Sequence, residues 1–159
     1  AITINFPTPQ PKAKYAKKRL VHVDHLILYR PLFAAGATVT LRTDSKPLRD
    51  YALGQFAAAG YDTLWVSNDV RRDHPEHPET EYECRTREMG AVVYGICATP
   101  GALPTDEQLA AGRVQEQSLA CYLPNNLDEL TYVPLGMEEA VENFRNRARK
   151  GKKRLPQEP

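Results

Sequence analysis

Cysteine is scarce in this chain. Cys84, Cys97 and Cys121 are an odd number at wide spacings, which is neither a disulfide framework nor a metal knuckle. Reduced thiols in a reducing compartment are therefore expected. No apolar run approaches the roughly 20 residues that span a bilayer. The first ten residues also lack the charged start and apolar stretch of a secretory signal. A cytoplasmic chain with no membrane partner is expected from these two absences. None of the 9 glycines forms the dinucleotide fingerprint or the glycine–lysine–serine phosphate loop. Ser45, Ser67 and Ser118 lack the glycine-flanked elbow of a hydrolase nucleophile. No lysine occurs between Lys46 and Lys150, which argues against a nuclease centre that orients its water with lysine.

What the chain does have is charge, placed unevenly. Residues 1–19 hold Lys12, Lys14, Lys17, Lys18 and Arg19 with no acid, giving +5. Residues 144–159 hold Arg145, Arg147, Arg149, Lys150, Lys152, Lys153 and Arg154 against Glu158, giving +6. Between them, 20–143 carry 9 basic and 19 acidic residues, giving −10, although the whole chain is only +1. At 159 residues, 42% of them hydrophobic, the chain suits one domain with its own core.

The expected organisation is an extended basic arm over 1–18, a globular domain over 19–149 and a basic tail over 150–159. Pro7, Pro9 and Pro11 favour extended backbone in the arm. Leu20 to Arg30 alternates Val21, Val23, Ile27 and Tyr29 on one parity and reads as a strand ended by Pro31. Residues 37–67 spell strand, helix, strand. The helix is capped by Ser45, starts with Pro47 and stops at Gly60. The strand after it, around Trp65, is apolar on both parities, as a central strand would be. A right-handed parallel β-α-β crossover follows from this order. Glu81 to Arg87 alternates strictly and reads as a half-exposed strand, followed by a buried strand over 91–98. Thr105 and Gln108 make a capping box for a helix over 106–121, and Leu130 to Val133 reads as a short extended piece. Met137, Ala140, Val141, Phe144 and Ala148 form the apolar stripe of a last helix. The fold class is α+β: one small mixed sheet of four to five strands with about three helices.

Candidates for chemistry are weak. His22 and His25 lie in the expected strand, where a spacing of three sends them to opposite faces. His74 and His77 sit in a proline-broken loop that reads as solvated, so no metal ligand is assigned. The carboxylates Asp62, Asp69, Asp73, Glu76, Glu79, Glu81, Glu83 and Glu88 are neighbours in sequence. Glu81 and Glu83 beside Arg85 and Arg87 read as a self-neutralising solvated face. Cys84 and Cys97 are expected to be buried and inert. No catalytic residue and no cofactor is assigned.

The basic ends carry the functional expectation. Lys12, Lys14, Tyr15, Lys17, Lys18 and Arg19 interleave an aromatic ring with positive charge, the pairing that grips a phosphate backbone and stacks on bases. Arg145, Arg149, Lys150, Lys152, Lys153 and Arg154 extend the same character to the other end. Nucleic acid or an acidic protein surface is the partner so implied, within a larger complex. The chain reads as a non-enzymatic accessory or assembly protein, of the kind found in mobile-element or viral particles. The alternatives are a protein inhibitor or adaptor that binds a partner enzyme, and a small metal-assisted hydrolase using the acidic loop 69–83.

Overall fold

In the computed structural model residues 1–152 are described, and they form a single domain built on one four-stranded mixed sheet. The strands are β1 (Ile2–Asn5), β2 (Val39–Thr43), β3 (Tyr61–Ser67) and β4 (Tyr94–Pro100), in the spatial order β1-β2-β4-β3. β1 runs parallel to β2, with Ile2 opposite Val39 and Asn5 opposite Arg42. β4 is antiparallel to both β2 and β3. The six α-helices among the described residues are α1 (Val23–Tyr29), α2 (Lys46–Ala58), α3 (Val70–Asp73), α4 (Glu81–Glu88), α5 (Asp106–Val114) and α6 (Glu138–Lys152). None of them is long and apolar enough to cross a membrane.

The strand–helix–strand unit forms where its residues predict. The Ser45 hydroxyl accepts from the Leu48 amide at the start of α2, and Gly60 closes the element at φ 71°. A Cβ at Gly60 would lie 2.4 Å from the Ala102 carbonyl oxygen, so glycine is required there on both counts. Leu48, Tyr51, Ala52 and Phe56 turn one face of α2 into the core against Val39 and Leu41 of β2 and Ile96 of β4. The crossover joins strands that run the same way, but β4 is inserted between them. β3 is consequently an edge strand rather than a central one. Leu64 and Val66 stay open to solvent, and Trp65 is half-buried, displaced by a bulge between Thr63 and Trp65. Val92 is exposed and Phe144 half-buried, whereas Val93 and Val141 are buried as their patterns predict.

Five segments depart from the sequence reading. Residues 1–18 are not a free arm: β1 completes the sheet, and a 3₁₀ turn over Ala13–Lys18 buries Ala16. Backbone pairing along β2 outweighs the extended preference of the prolines, which begin only after β1 ends. Leu20 to Arg30 contains helix α1, not a strand. The His22 ring accepts from the Asp24 amide at its start, and Val23 and Leu26 are the residues buried, at helical spacing. Residues 81–88 are helix α4, not a strand, because Thr80 caps the Glu83 amide and the buried pair is Glu83 and Thr86, three apart. Cys84 is therefore exposed, while Cys97 is buried as expected. α5 ends at Val114, short of 121, and 130–133 forms no strand.

The helices α1 and α5 are fastened to α2 by one buried amide. Gln55 accepts from the Val23 N–H at 2.8 Å and donates to the Gly112 carbonyl at 2.8 Å and to Gln115 at 2.8 Å. Gly112 allows this approach, since a Cβ there would stand 2.7 Å from the Ala58 Cβ. Phe56 is fully buried and meets the Tyr61 ring edge-on at 5.5 Å. Phe56→Ala is expected to cost about 3–5 kcal/mol in urea denaturation, the usual range for truncating a buried phenylalanine.

Candidate functional site

β1, β2 and β3 all end, and β4 begins, along one edge of the sheet. The carboxyl ends of parallel strands are where open sheets place their ligands. At this edge the chain leaves β1 through Phe6, whose amide donates to the Arg42 carbonyl at 2.8 Å and whose φ is 46°. Gln10 is also left-handed, at φ 52°. Two such residues in one short loop cost of order 1–3 kcal/mol each, and the loop keeps them because Arg19 holds it. The guanidinium donates to the Pro9 carbonyl at 3.1 Å, to the Gln10 carbonyl at 2.7 Å and to the Gln117 carbonyl at 2.7 Å. It rests on the Tyr51 ring, 4.4 Å from its centroid.

Asp44 follows β2 at the same edge and is 8% exposed. Its Oδ2 accepts from the hydroxyls of Tyr82 at 3.0 Å and Tyr132 at 2.8 Å, drawn from α4 and from the loop before α6. Burial and the Asp44 charge push the Tyr82 phenol up to about 12, and burial together with the Asp44 hydrogen bond raises Tyr132 as well. Both hydroxyls therefore stay protonated donors at neutral pH. The Phe6 ring leans on Tyr82 at 4.9 Å, which joins the strained loop to the carboxylate. Asp44, Tyr94, Tyr132, Met137 and Val141 line a cavity of about 90 Å³.

A buried ion cluster stands behind Asp44. Glu83 is fully buried and pairs with Arg42 of β2 and, at 2.5 Å, with Arg71 of α3. Arg42 also donates to the Pro78 carbonyl at 2.8 Å, and Arg71 to the His77 carbonyl at 2.8 Å. Burial pulls the Arg42 guanidinium below its ordinary value, against the pull of Glu83. The expectation that Glu81 and Glu83 share a solvated face fails at Glu83, because the segment is helical. Thr80 followed by Glu83 is the capping spacing that marks such a start, a signal that alternation of charge obscured.

The sequence-assigned basic residues separate into three groups. Arg19 is 1% exposed and bonded inward, so it is a structural residue and not a phosphate contact. Lys12, Lys14, Lys17 and Lys18 are exposed. Lys14 and Lys18 place their ammonium groups 5.0 Å and 4.7 Å from the Tyr15 ring centre. Lys12 bridges to Glu139 of α6 at 2.9 Å, and Lys12, Tyr15, Phe144 and Arg147 line a groove of about 500 Å³. Arg145 and Arg149 lie along a neighbouring hollow that shares Glu138 with this groove. Lys150 and Lys152 belong to the last turns of α6, and Lys153 and Arg154 lie outside the described residues. The fold thus brings the two basic ends of the chain to one helix.

Residues 1–96 match a family model described as "Putative methyltransferase". The chain belongs to this family. Its methyltransferase-type relatives include the tRNA (guanine-N(7)-)-methyltransferase of Streptococcus equi subsp. zooepidemicus (strain MGCS10565), 32% identical over 97 residues. The match covers 60% of this chain and 46% of that protein. The enzyme of the same description from Exiguobacterium sibiricum is 32% identical over 99 residues, covering 62% and 46%. That from Alkaliphilus oremlandii is 34% identical over 98 residues, covering 61% and 46%. The chain spans about half the length of the curated relatives it matches.

Membership in a methyltransferase family overturns the expectation of a non-enzymatic accessory or assembly protein from a mobile element or virus. The inhibitor, adaptor and hydrolase alternatives fall with it. Segregated charge marks any protein that meets phosphates, enzyme or not, so it could not report on catalysis. The matched segment contains the loop after β1, Asp44, Tyr82 and Glu83, the residues of the sheet edge just described. Removing Glu83 leaves Arg42 and Arg71 facing each other without their shared counter-ion. Glu83→Ala is expected to cost about 3–5 kcal/mol of stability. Glu81→Ala, on the exposed face, should stay within about 0.5 kcal/mol in the same denaturation experiment.

Proposed function

We propose that this chain forms the nucleic-acid-facing part of a tRNA methyltransferase acting on guanine. The observation that carries the reading is the family match over 1–96, which takes in Asp44 and Tyr82 of the sheet edge. The relatives' action on tRNA guanine supplies the substrate class. Guanine N7 attacks through a lone pair and carries no proton, so its methylation needs no general base at that atom. What develops instead is positive charge on the purine. A carboxylate held in a largely buried setting offsets such charge far better than one in water. Asp44 supplies it, and two tyrosine hydroxyls fix its orientation.

Enzymes that modify a base take it out of the stack and hold it by its edge and face. Phe6, Tyr82 and Tyr132 place aromatic surface beside Asp44 for that purpose. Lys12, Lys14, Lys17, Lys18, Arg145, Arg147 and Arg149 offer exposed positive charge for the phosphates, and Tyr15 offers a ring between two ammonium groups. Methyl transfer also requires a donor.

Two measurements test the reading. With four to six phosphates engaged, at roughly 0.7–0.9 each, binding of a tRNA transcript should give a log–log salt slope between about −3 and −5. A complex insensitive to salt would remove the basic groove from the interface. In the purified methyltransferase, Asp44→Ala should lower the rate of 7-methylguanosine formation on the order of a hundredfold. Affinity for tRNA should change little, because the phosphate contacts remain. Unchanged methylation would remove Asp44 from the site.

A further inference from the structure

The turn between α3 and α4 gathers three metal-ligating side chains that line neither the Asp44 cavity nor the basic groove. One ligand atom each from His74, Glu76 and His77 lies within 4.8 Å of the others. His74 Nδ1 is 3.4 Å from Glu76 Oε1, and His77 Nε2 is 3.9 Å from the same oxygen. Tetrahedral ligands about 2.0–2.2 Å from a zinc ion stand roughly 3.3–3.5 Å apart. The set is thus a small side-chain rotation away from three corners of a tetrahedral shell.

The surroundings hold this arrangement in place. Trp65 stacks on the His74 ring at 4.0 Å, and meets the His77 ring at 5.8 Å. Arg71 pins the His77 carbonyl and Arg42 the Pro78 carbonyl, so the buried ion cluster fixes the backbone of the turn. The imidazoles are 23% and 28% exposed, covered on one side and open on the other. Glu76 brings a carboxylate oxygen donor between the two imidazoles.

We propose that His74, Glu76 and His77 form a surface site for a divalent transition-metal ion such as zinc or nickel, with water completing the coordination. Two imidazoles and one carboxylate select such ions over magnesium and calcium, which take oxygen ligands. Bound metal ties the turn to α3 and stiffens the segment that precedes Tyr82 and Glu83.

Trp65 is the chain's single tryptophan and stacks directly on a proposed ligand, so its emission reports occupancy. The test uses the chelator-treated chain with Cys84→Ser and Cys121→Ser, which remove the two exposed thiols. Titration with nickel chloride should quench the emission saturably, and zinc chloride should bind at one equivalent by calorimetry and compete with nickel. Magnesium chloride should do neither. His77→Ala and Glu76→Gln should each weaken binding at least about tenfold with unchanged circular dichroism. Quenching that never saturates, zinc binding absent by calorimetry, or parent affinity in both variants would overturn the site.

Discussion

The carboxylate of Glu83, buried between two guanidinium groups, is the interaction on which this architecture turns. A charge removed from water is tolerable only when paired and hydrogen-bonded, so α4 has no freedom to shift along β2. Alternation along β2 puts Arg42 and the following Asp44 on one face while Val39 and Leu41 enter the hydrophobic core. When Glu83 reaches Arg42, its neighbour Tyr82 is delivered to Asp44. The same two arginines hold the carbonyls of His77 and Pro78. One ion cluster thereby positions a tyrosine at the sheet edge and the histidine turn beside it.

Arg19 does for the opposite side what Glu83 does for this one. Its guanidinium is committed to the carbonyls of Pro9, Gln10 and Gln117, which ties the loop after β1 to the segment that follows α5. The acidic middle of the chain is not a single docking face. Asp24 pairs with Arg113, Asp50 with Lys46 and Arg49, Asp73 with Arg72, and Glu79 with Arg87. The middle segment still keeps its net −10, and the positive charge of the two ends is exposed apart from it. They meet at α6 through the Lys12–Glu139 bridge. This concentrates cationic groups close to α6, whose Val141 lines the Asp44 cavity together with the preceding Met137.

Set beside the family match, the geometry separates positioning from chemistry. Backbone strain at Phe6 and Gln10 is confined to the loop that leans on Tyr82. Strain of this kind persists where the surrounding structure over-determines it, and functional sites are where it collects. Tyrosine hydroxyls around Asp44 remain donors across the neutral range, so the carboxylate keeps one orientation. The relatives matched here extend over about twice the length of this chain's match.

Local rules were enough for the starts of α2 and α5 and for the apolar stripe of α6, but not for the end of α5. Ser45 with Pro47, Thr105 with Gln108, and the stripe from Met137 to Phe144 are signals within a few residues, and α2 and α5 start where their caps lie. The α+β class and the strands β2, β3 and β4 were legible in the same way, whereas β1 was hidden in a segment that reads as an arm. Residues 81–88 show why local rules stop: alternation of charge and helical capping coexist there, and the choice is made by Arg42, 41 residues away in sequence. Leu20 to Arg30 misled similarly, because the cap of α1 is a histidine ring and its buried face is set by Gln55. β3 looked central because its residues are apolar on both faces, yet strand order is decided by which partner inserts, and β4 arrives from later in the chain. Asp44, Tyr82 and Tyr132 carry no motif that joins them, for they come from three elements whose meeting depends on a buried charge. The sequence by itself determined the helices with local caps and the segregation of charge. Only the tertiary structure decided the strand order, the inward turn of Arg19 and Glu83, and the carboxylate site, because those rest on pairings between distant residues that must satisfy buried charge together.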